Sequence, residues 1–133
     1  MLQVLPVQEK EKQKEFCEQL AIEYDPDEMC YAAHDGDEFR GISLFRIIDK
    51  YCVIYKVKLA AGADDHLALY LLAKAPLNFC DMCGIKKAVF KDAENEKLAK
   101  ELEFIKKDGV FTLDLDGYFT TPCHRHEKTE NGR

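Results

Sequence analysis

The sequence predicts an α+β fold with a mixed, mostly antiparallel central sheet flanked by helices. Three runs rich in β-branched and aromatic residues follow one another as 29–34, 39–48 and 53–59. Asp35-Gly36 and Asp49-Lys50 separate these runs and are typical of tight turns, which predicts an antiparallel meander. Apolar residues at helical spacing lie on both sides of the meander, within 8–24 and 64–83, as expected of helices that cover a sheet.

Length and composition are those of one globular domain. The chain has 133 residues, of which 47% are hydrophobic and 33% charged, a balance typical of globular proteins. A chain of this size can bury a core without disulfides or a metal. We expect a single domain over 1–122, followed by a polar C-terminal tail over 123–133.

The charge balance argues against two classes of partner. The formal net charge is −6 and the pI is about 5.2, so the surface repels nucleic acid and anionic membranes. No segment approaches the ~20 apolar residues of a membrane span, and the N-terminus lacks the pattern of a signal peptide. We therefore expect a cytoplasmic protein whose six cysteines are thiols.

The first half of the chain begins with a short apolar strand over Leu2–Val7. The charged stretch 8–24 carries Phe16, Leu20 and Tyr24 at four-residue spacing, which predicts an amphipathic helix that ends before Pro26. In the third strand-like run two sets of residues alternate. The first set is Val53, Tyr55, Val57 and Leu59, and the second is Ile54, Lys56 and Lys58. We expect the first set to share one apolar face.

The second half predicts a helix, a strand, a helix and a hairpin. Ala60–Ala63 breaks the third strand, and Asp64-Asp65 begins a helix that ends near Gly84. Pro76 lies inside this helix and predicts a kink or a break. The remaining elements are a strand over 85–91, a helix over 92–104 and a hairpin over 105–115 that turns at Asp108-Gly109.

This order of elements, together with two local patterns, resembles the GNAT acyltransferase superfamily. Phe39-Arg40-Gly41-Ile42-Ser43-Leu44-Phe45 resembles the family's passage from the second strand to the third. Leu98–Phe104, followed by Val110–Leu115, resembles its closing helix and hairpin. The resemblance covers residues 2 to about 119. It rests on pattern and order more than on invariant residues.

The resemblance implies acetyl-CoA as a substrate, bound where the fourth and fifth strands separate. The family's Arg/Gln-x-x-Gly-x-Gly/Ala loop corresponds to Leu59–His66, where Gly62 is the only matching glycine. The implied cofactor-binding residues are Val57, Leu59, Ala60, Ala61, Gly62 and Ala63. The stretch lacks the family's Arg or Gln, and Asp64 and Asp65 place negative charge near the expected pyrophosphate.

The resemblance does not identify a catalytic residue. In the family, an asparagine opens the last helix and a tyrosine near its end protonates the departing thiolate. Asp92 and Ala99 stand at these two positions here. Tyr118 or water are the alternatives for the proton donor, and the catalytic residues remain unassigned.

Three functions follow as hypotheses. The first is an N-acyltransferase, in which an unknown amine attacks the thioester of acetyl-CoA directly. The second is a non-catalytic GNAT-like module that binds a small molecule or a protein partner. The third is a metal-stabilised interaction protein. A homodimer is compatible with the resemblance, although no residue pattern marks an interface.

The third hypothesis, a metal-stabilised protein, rests on the spacing of cysteine and histidine residues. Cys80-Asp81-Met82-Cys83 and Cys123-His124-Arg125-His126 offer ligands that zinc accepts. The second group lacks the usual spacing, and Cys80 and Cys83 also fit helical core positions beside Phe79. We therefore expect no metal site.

Other polar candidates have simpler interpretations. His66 would lie near the start of the second helix, where solvent exposure or capping is the favoured role. His34 is interpreted as a turn residue. Asp114 and Asp116 have the spacing of a carboxylate pair for acid–base chemistry, but the solvent side of a closing hairpin is the favoured interpretation.

Overall fold

A computed structural model describes residues 1–119 as an α+β fold with seven strands and three helices. The strands are β1 Leu2–Pro6, β2 Met29–Asp35, β3 Glu38–Ile48, β4 Tyr51–Leu59, β5 Lys87–Phe90, β6 Ile105–Lys107 and β7 Val110–Asp114. The helices are α1 Lys10–Gln19, α2 His66–Met82 and α3 Glu96–Glu101. The predicted fold class is confirmed.

The strands of the described chain form one mixed sheet in the order β1-β2-β3-β4-β5-β7-β6. Every neighbouring pair is antiparallel except β4 and β5, which run parallel. Parallel neighbours need a crossover connection, and α2 provides it between these two strands. The sheet is therefore mostly antiparallel, as the sequence predicts.

Helices pack on both faces of the sheet. On one face α1 buries Phe16, Cys17 and Leu20 against β2 and β3. On the other face α2 and α3 cover the larger core. Its fully buried members include Ile54, Leu72, Leu77, Ala99 and Leu102. Burying side chains of this size contributes roughly 1.5–3 kcal/mol each to the free energy of unfolding.

A β-bulge interrupts the alternation of β4. Leu44 pairs with Lys56 and the next residue of β3, Phe45, pairs with Ile54, so Tyr55 is the additional residue. The bulge reverses the direction of the side chains that follow. Ile54 and Val57, three positions apart, consequently join the same core. The expectation that Val53, Tyr55, Val57 and Leu59 share one strictly alternating face is wrong for this reason.

Helix ends depart most from the sequence predictions. α1 ends at Gln19 because Ala21 adopts a φ of 58° and the Ile22 N–H bonds the Cys17 carbonyl at 2.8 Å. These are features of the Schellman motif, which usually needs glycine. The predicted helix over 92–104 is a 3₁₀ turn, Ala93–Asn95, followed by α3.

The break expected at Pro76 does not occur. α2 runs continuously from His66 to Met82 with Pro76 inside it. Proline removes one backbone donor, but Ala73, three positions before it, and Leu77, directly after it, are fully buried. Burial of this apolar face holds the helix together across the missing hydrogen bond.

The end of α3 generates a stability prediction. Glu103 is exposed and has a φ of 76°, a conformation that costs an L-residue roughly 1–2 kcal/mol. Glu103→Gly removes that strain. We expect the free energy of unfolding to rise by about 0.5–1 kcal/mol, measured by urea denaturation, after allowing for the greater backbone freedom of glycine.

Lys100→Gly is the matched control, because Lys100 is an exposed residue of α3 itself. Glycine inside a helix is destabilising by roughly 0.5–1 kcal/mol. If both glycine variants lower stability equally, the left-handed conformation of Glu103 is not a source of strain.

Candidate ligand site at the divergence of two strands

The candidate site lies where β4 and β5 separate. The two strands pair in parallel from Tyr51 and Lys87 to Ile54 and Phe90. The Lys91 N–H then donates to the Ile54 carbonyl at 2.8 Å. β4 continues to Leu59, but β5 has ended. Residues after Ile54 therefore have β3 on one side and no strand on the other.

The backbone of Val57 points into this gap. Its N–H donates to Asp92 Oδ2 at 2.9 Å, and its carbonyl accepts from Asn95 Nδ2 at 2.8 Å. Both partners lie on the segment that follows β5. Since the bulge at Tyr55 lies just before Val57, it sets which backbone groups of β4 face the gap.

Asp92 organises the segment on the far side of the gap. Asp92 is only 2% exposed. The carboxylate also accepts from Asn95 Nδ2 at 2.7 Å and from the Glu94 N–H at 3.2 Å. The second of these bonds caps the 3₁₀ turn. A buried carboxylate with several donors avoids the large cost of an unpaired buried charge.

Lys56 supplies positive charge at the same place. Its Nζ lies 3.5 Å from Asp92 Oδ1 and 3.2 Å from Glu94 Oε1. Partial burial lowers the pKa of Lys56, but the hydrogen bond to Glu94 and the charges of Asp92 and Glu94 outweigh that effect and raise it. Lys56 therefore remains an ammonium that bridges β4 and the turn.

The loop after β4 is close to β3. The Ala60 N–H donates to the Arg40 carbonyl at 2.7 Å. A Cβ added to Gly41 would lie 2.4 Å from the Lys58 carbonyl oxygen, so only glycine allows this approach. Gly62 is exposed, has a φ of 81° and has open space around it.

Acidic residues stand at the start of α2. Asp65 caps the helix by accepting from the Ala68 N–H at 3.1 Å. Asp64 is exposed. His66 Nε2 lies 2.8 Å from Glu101 Oε2, an exposed contact between α2 and α3. His66 is therefore exposed, and its ring contacts a carboxylate of the same chain.

The residues predicted to bind the cofactor follow one another along the end of β4 and the loop. Val57 is buried, Leu59, Ala60 and Ala63 are half-buried, and Ala61 and Gly62 are exposed. A cavity of about 250 Å³ lies beside Asp92 and is lined also by Phe90 and Phe111. It does not include the predicted loop.

Neither Ala99 nor Tyr118 presents a proton donor to the gap. Ala99 is fully buried in the core. The Tyr118 hydroxyl donates to the Leu102 carbonyl at 3.0 Å, and the Lys74 ammonium lies 5.7 Å from the Tyr118 ring. The tyrosine proton is thus committed to a backbone acceptor.

Two other polar candidates have structural roles. Asp114 is exposed, and its pKa is lowered chiefly by the backbone hydrogen bond from Asp116, at 2.9 Å. Asp114 therefore lies on the solvent side of the closing hairpin, which is the interpretation favoured from the sequence. His34 belongs to β2 and not to a turn, and its ring packs 5.6 Å from the Phe39 ring. The turn assignment of His34 is wrong, because β2 continues through Asp35.

The cysteines of the described chain do not form a ligand set. Cys80 is fully buried and Cys83 is exposed, although both belong to the same predicted pair. A hydrogen bond with Cys80, together with burial, raises the pKa of Cys52, as expected of thiols in a core. Within residues 1–119 no group of three metal-ligating side chains occurs. Cys123 lies outside the described residues, as does the tail over 123–133.

Comparison with solved structures gives the fold its name. No protein-family model matches the sequence, and no curated protein matches it significantly. An acetyltransferase of the GNAT family from Staphylococcus aureus Mu50 superposes with a TM-score of 0.65 at 13% identity, covering 86% of this chain and 99% of that one. The chain has the GNAT fold.

Two further GNAT-fold structures show how far the likeness extends. A Bacillus subtilis acetyltransferase in complex with CoA superposes with a TM-score of 0.63 at 13% identity, covering 86% of this chain and 99% of that one. The Escherichia coli ribosomal-protein-S18-alanine N-acetyltransferase superposes with a TM-score of 0.68 at 8% identity, covering 100% of this chain and 99% of that one.

Within the described residues, no helix is long and apolar enough to cross a membrane.

Sequence reasoning missed the residues that contact Val57 across the gap. The sequence identifies Asp92 only as a substitute for the family's asparagine and gives no reason to single out Asn95. Their spacing of three residues is a typical capping pattern. It could have indicated a turn, but not a contact with a strand 35 positions away.

Asp92→Ala tests the network at the site. The substitution leaves the Val57 and Glu94 N–H groups without their carboxylate acceptor, and each buried unpaired donor costs roughly 1–3 kcal/mol. We expect the free energy of unfolding to fall by about 2–4 kcal/mol, measured by chemical denaturation.

Glu94→Ala is the matched control, because Glu94 belongs to the same turn and contacts Lys56 with a side chain that is 78% exposed. An exposed ion pair contributes at most about 1 kcal/mol. Equal losses for the two variants would contradict the assignment of Asp92 as the organising residue.

Proposed function

We propose that this chain is a divergent member of the GNAT superfamily that transfers an acetyl or acyl group from acyl-CoA to an amine. One observation carries the proposal. β4 extends beyond β5, and the N–H and carbonyl of Val57 face the resulting gap. Once Asp92 and Asn95 release it, a strand edge of this kind can pair with an extended ligand that contains amide groups, and the pantetheine arm of CoA is such a ligand.

The proposed cofactor site extends from this edge into the loop. Val57 contributes its backbone groups, and Leu59, Ala60, Ala61, Gly62 and Ala63 follow towards α2. The exposure of Ala61 and Gly62 leaves backbone that a phosphate can approach closely. The fit is poorer at the helix start, where Asp65 already accepts from the Ala68 N–H and Asp64 adds negative charge.

The proposed reaction is direct attack. The lone pair of a neutral amine attacks the thioester carbonyl, the N–C bond forms, the C–S bond breaks and CoA leaves as a thiolate. The amine nitrogen loses one proton and the thiolate takes one up. Since Ala99 stands in the family's tyrosine position, we propose that water carries this proton in place of a side chain.

Several finer points remain predictions. The amine acceptor, a homodimer and a cytoplasmic location are expectations of the sequence and the fold likeness. Acetyl-CoA is proposed as the acyl donor because the resemblance to the GNAT superfamily implies it.

Ligand binding is the first test. A thermal-shift titration with acetyl-CoA, with ATP as the control, measures whether the chain binds the acyl donor. A ligand at a hundred times its Kd stabilises by ~2.7 kcal/mol, which raises Tm by several degrees in a domain of this size. No rise at millimolar acetyl-CoA, or an equal rise with ATP, would overturn the proposed function.

Asp64→Asn tests where the phosphates lie. Removing one negative charge near a bound anion gains about 1 kcal/mol at a partly exposed site, so acetyl-CoA should bind about fivefold more tightly at low salt. Asp49→Asn removes the same charge from the turn before β4, at the opposite end of that strand. It should leave the affinity unchanged in isothermal titration calorimetry.

The difference between the two variants should shrink as salt is added, because added ions screen exposed charges. If both variants tighten binding equally, the phosphates do not lie at the loop before α2.

A second candidate function is a non-catalytic module that binds acyl-CoA or another partner. The observation that favours it is the combination of a buried Ala99 with a Tyr118 hydroxyl that is already hydrogen-bonded. Thiol release from acetyl-CoA in the presence of a panel of amines separates the two functions. Turnover supports the transferase, whereas saturable binding without turnover supports the module.

A further inference from the structure

Both backbone groups that Val57 presents to the gap are already paired within the chain. Asp92 accepts from the Val57 N–H at 2.9 Å and Asn95 donates to the Val57 carbonyl at 2.8 Å. One acceptor and one donor on the same residue of a strand are what a neighbouring strand, or the amides of an extended ligand, would supply. The two side chains therefore take the place of a ligand.

The pairing is firm at Asp92. The Asp92 side chain is fully buried, and Asn95 Nδ2 lies 2.7 Å from its Oδ2, so the two side chains hold each other. A ligand amide cannot bond Val57 while they remain in place. It would also have to compensate for the hydrogen bonds that it breaks, because an unpaired buried group is costly.

The segment that would have to move is short. A single 3₁₀ turn of three residues lies between β5 and α3. Asp92 precedes this turn, and Asn95 is its last residue. Such turns are held by poorer hydrogen-bond geometry than α-helices. On the solvent side, Lys56 and Glu94 close the gap with an exposed contact of 3.2 Å, which is weak in water. Opening therefore requires a change in one short segment.

We propose that Asp92 and Asn95 form an intramolecular latch on the edge of β4, which an acyl-CoA amide must displace in order to bind. This inference rests on the proposed function, since it names the regulation of the same site. The observed affinity for acyl-CoA is then reduced by the fraction of molecules in which the latch is open. The pairing at Val57 keeps the site closed when no ligand is present.

Asn95→Ala tests the latch by removing its donor. Acetyl-CoA binding is measured by isothermal titration calorimetry for the wild-type protein, for Asn95→Ala and for Asn78→Ala. Asn78 is an exposed residue of α2, so its variant carries the same chemical change away from the gap. We expect Asn95→Ala to bind about tenfold more tightly than wild type, as for a latch open in roughly one molecule in ten, and Asn78→Ala to match wild type.

The outcomes separate the latch from the function. If wild type binds and Asn95→Ala binds equally or more weakly, the latch is overturned and the proposed function stands. If neither protein binds acetyl-CoA, the proposed function is overturned, and the latch with it, because an opened site should bind. Binding by Asn95→Ala alone supports both.

A measurement on the wild-type protein covers the case in which Asn95→Ala does not fold. The side-chain amide of Asn95 gives a pair of proton signals in nuclear magnetic resonance spectra, held by its bonds to Val57 and Asp92. Saturating acetyl-CoA should move this pair to the positions of a solvent-exposed asparagine. An unchanged pair in the presence of bound acetyl-CoA would overturn the latch.

Discussion

The hydrogen bond from the Val57 N–H to the buried carboxylate of Asp92 connects the two halves of this sheet beyond the last parallel pair. β5 is only four residues long, so backbone pairing alone leaves the end of β4 without a neighbour. An exposed strand edge invites pairing with another chain. Asp92 and Asn95 satisfy this edge from within, and the position of the following turn and of α3 depends on them.

The same contact determines how the GNAT fold is used here. In the proposed function this edge of β4 binds the ligand, but Asp92 and Asn95 already satisfy its hydrogen bonds. The acidic start of α2 has a similar effect, because Asp65 occupies a helix N–H group that a phosphate would otherwise bond. The chain thus has the GNAT fold and supplies its own hydrogen-bond partners at these two places.

Much of the fold follows from the sequence, because turn residues and apolar spacing act locally. The turn predicted at Asp35-Gly36 lies at Gly36-Asp37 between β2 and β3. Ala68 and Leu72 of α2 lie in the core as predicted, whereas Leu67 is exposed. Other features depend on tertiary contacts. Ala21 and Glu103 adopt positive φ without being glycine, and the bulge at Tyr55 depends on pairing with β3. The partners of Val57 are 35 and 38 positions away, so no local pattern could identify them.

We propose that acyl-CoA binds this protein at the edge of β4, at Val57. A titration with acetyl-CoA, followed through the backbone amide signal of Val57 in ¹⁵N–¹H spectra, measures this directly. We expect a saturable change at Val57 with the same Kd as calorimetry, because the ligand replaces the carboxylate of Asp92 as the acceptor of that N–H. Saturable binding that leaves the Val57 signal unchanged would contradict it, since the ligand would then bind elsewhere.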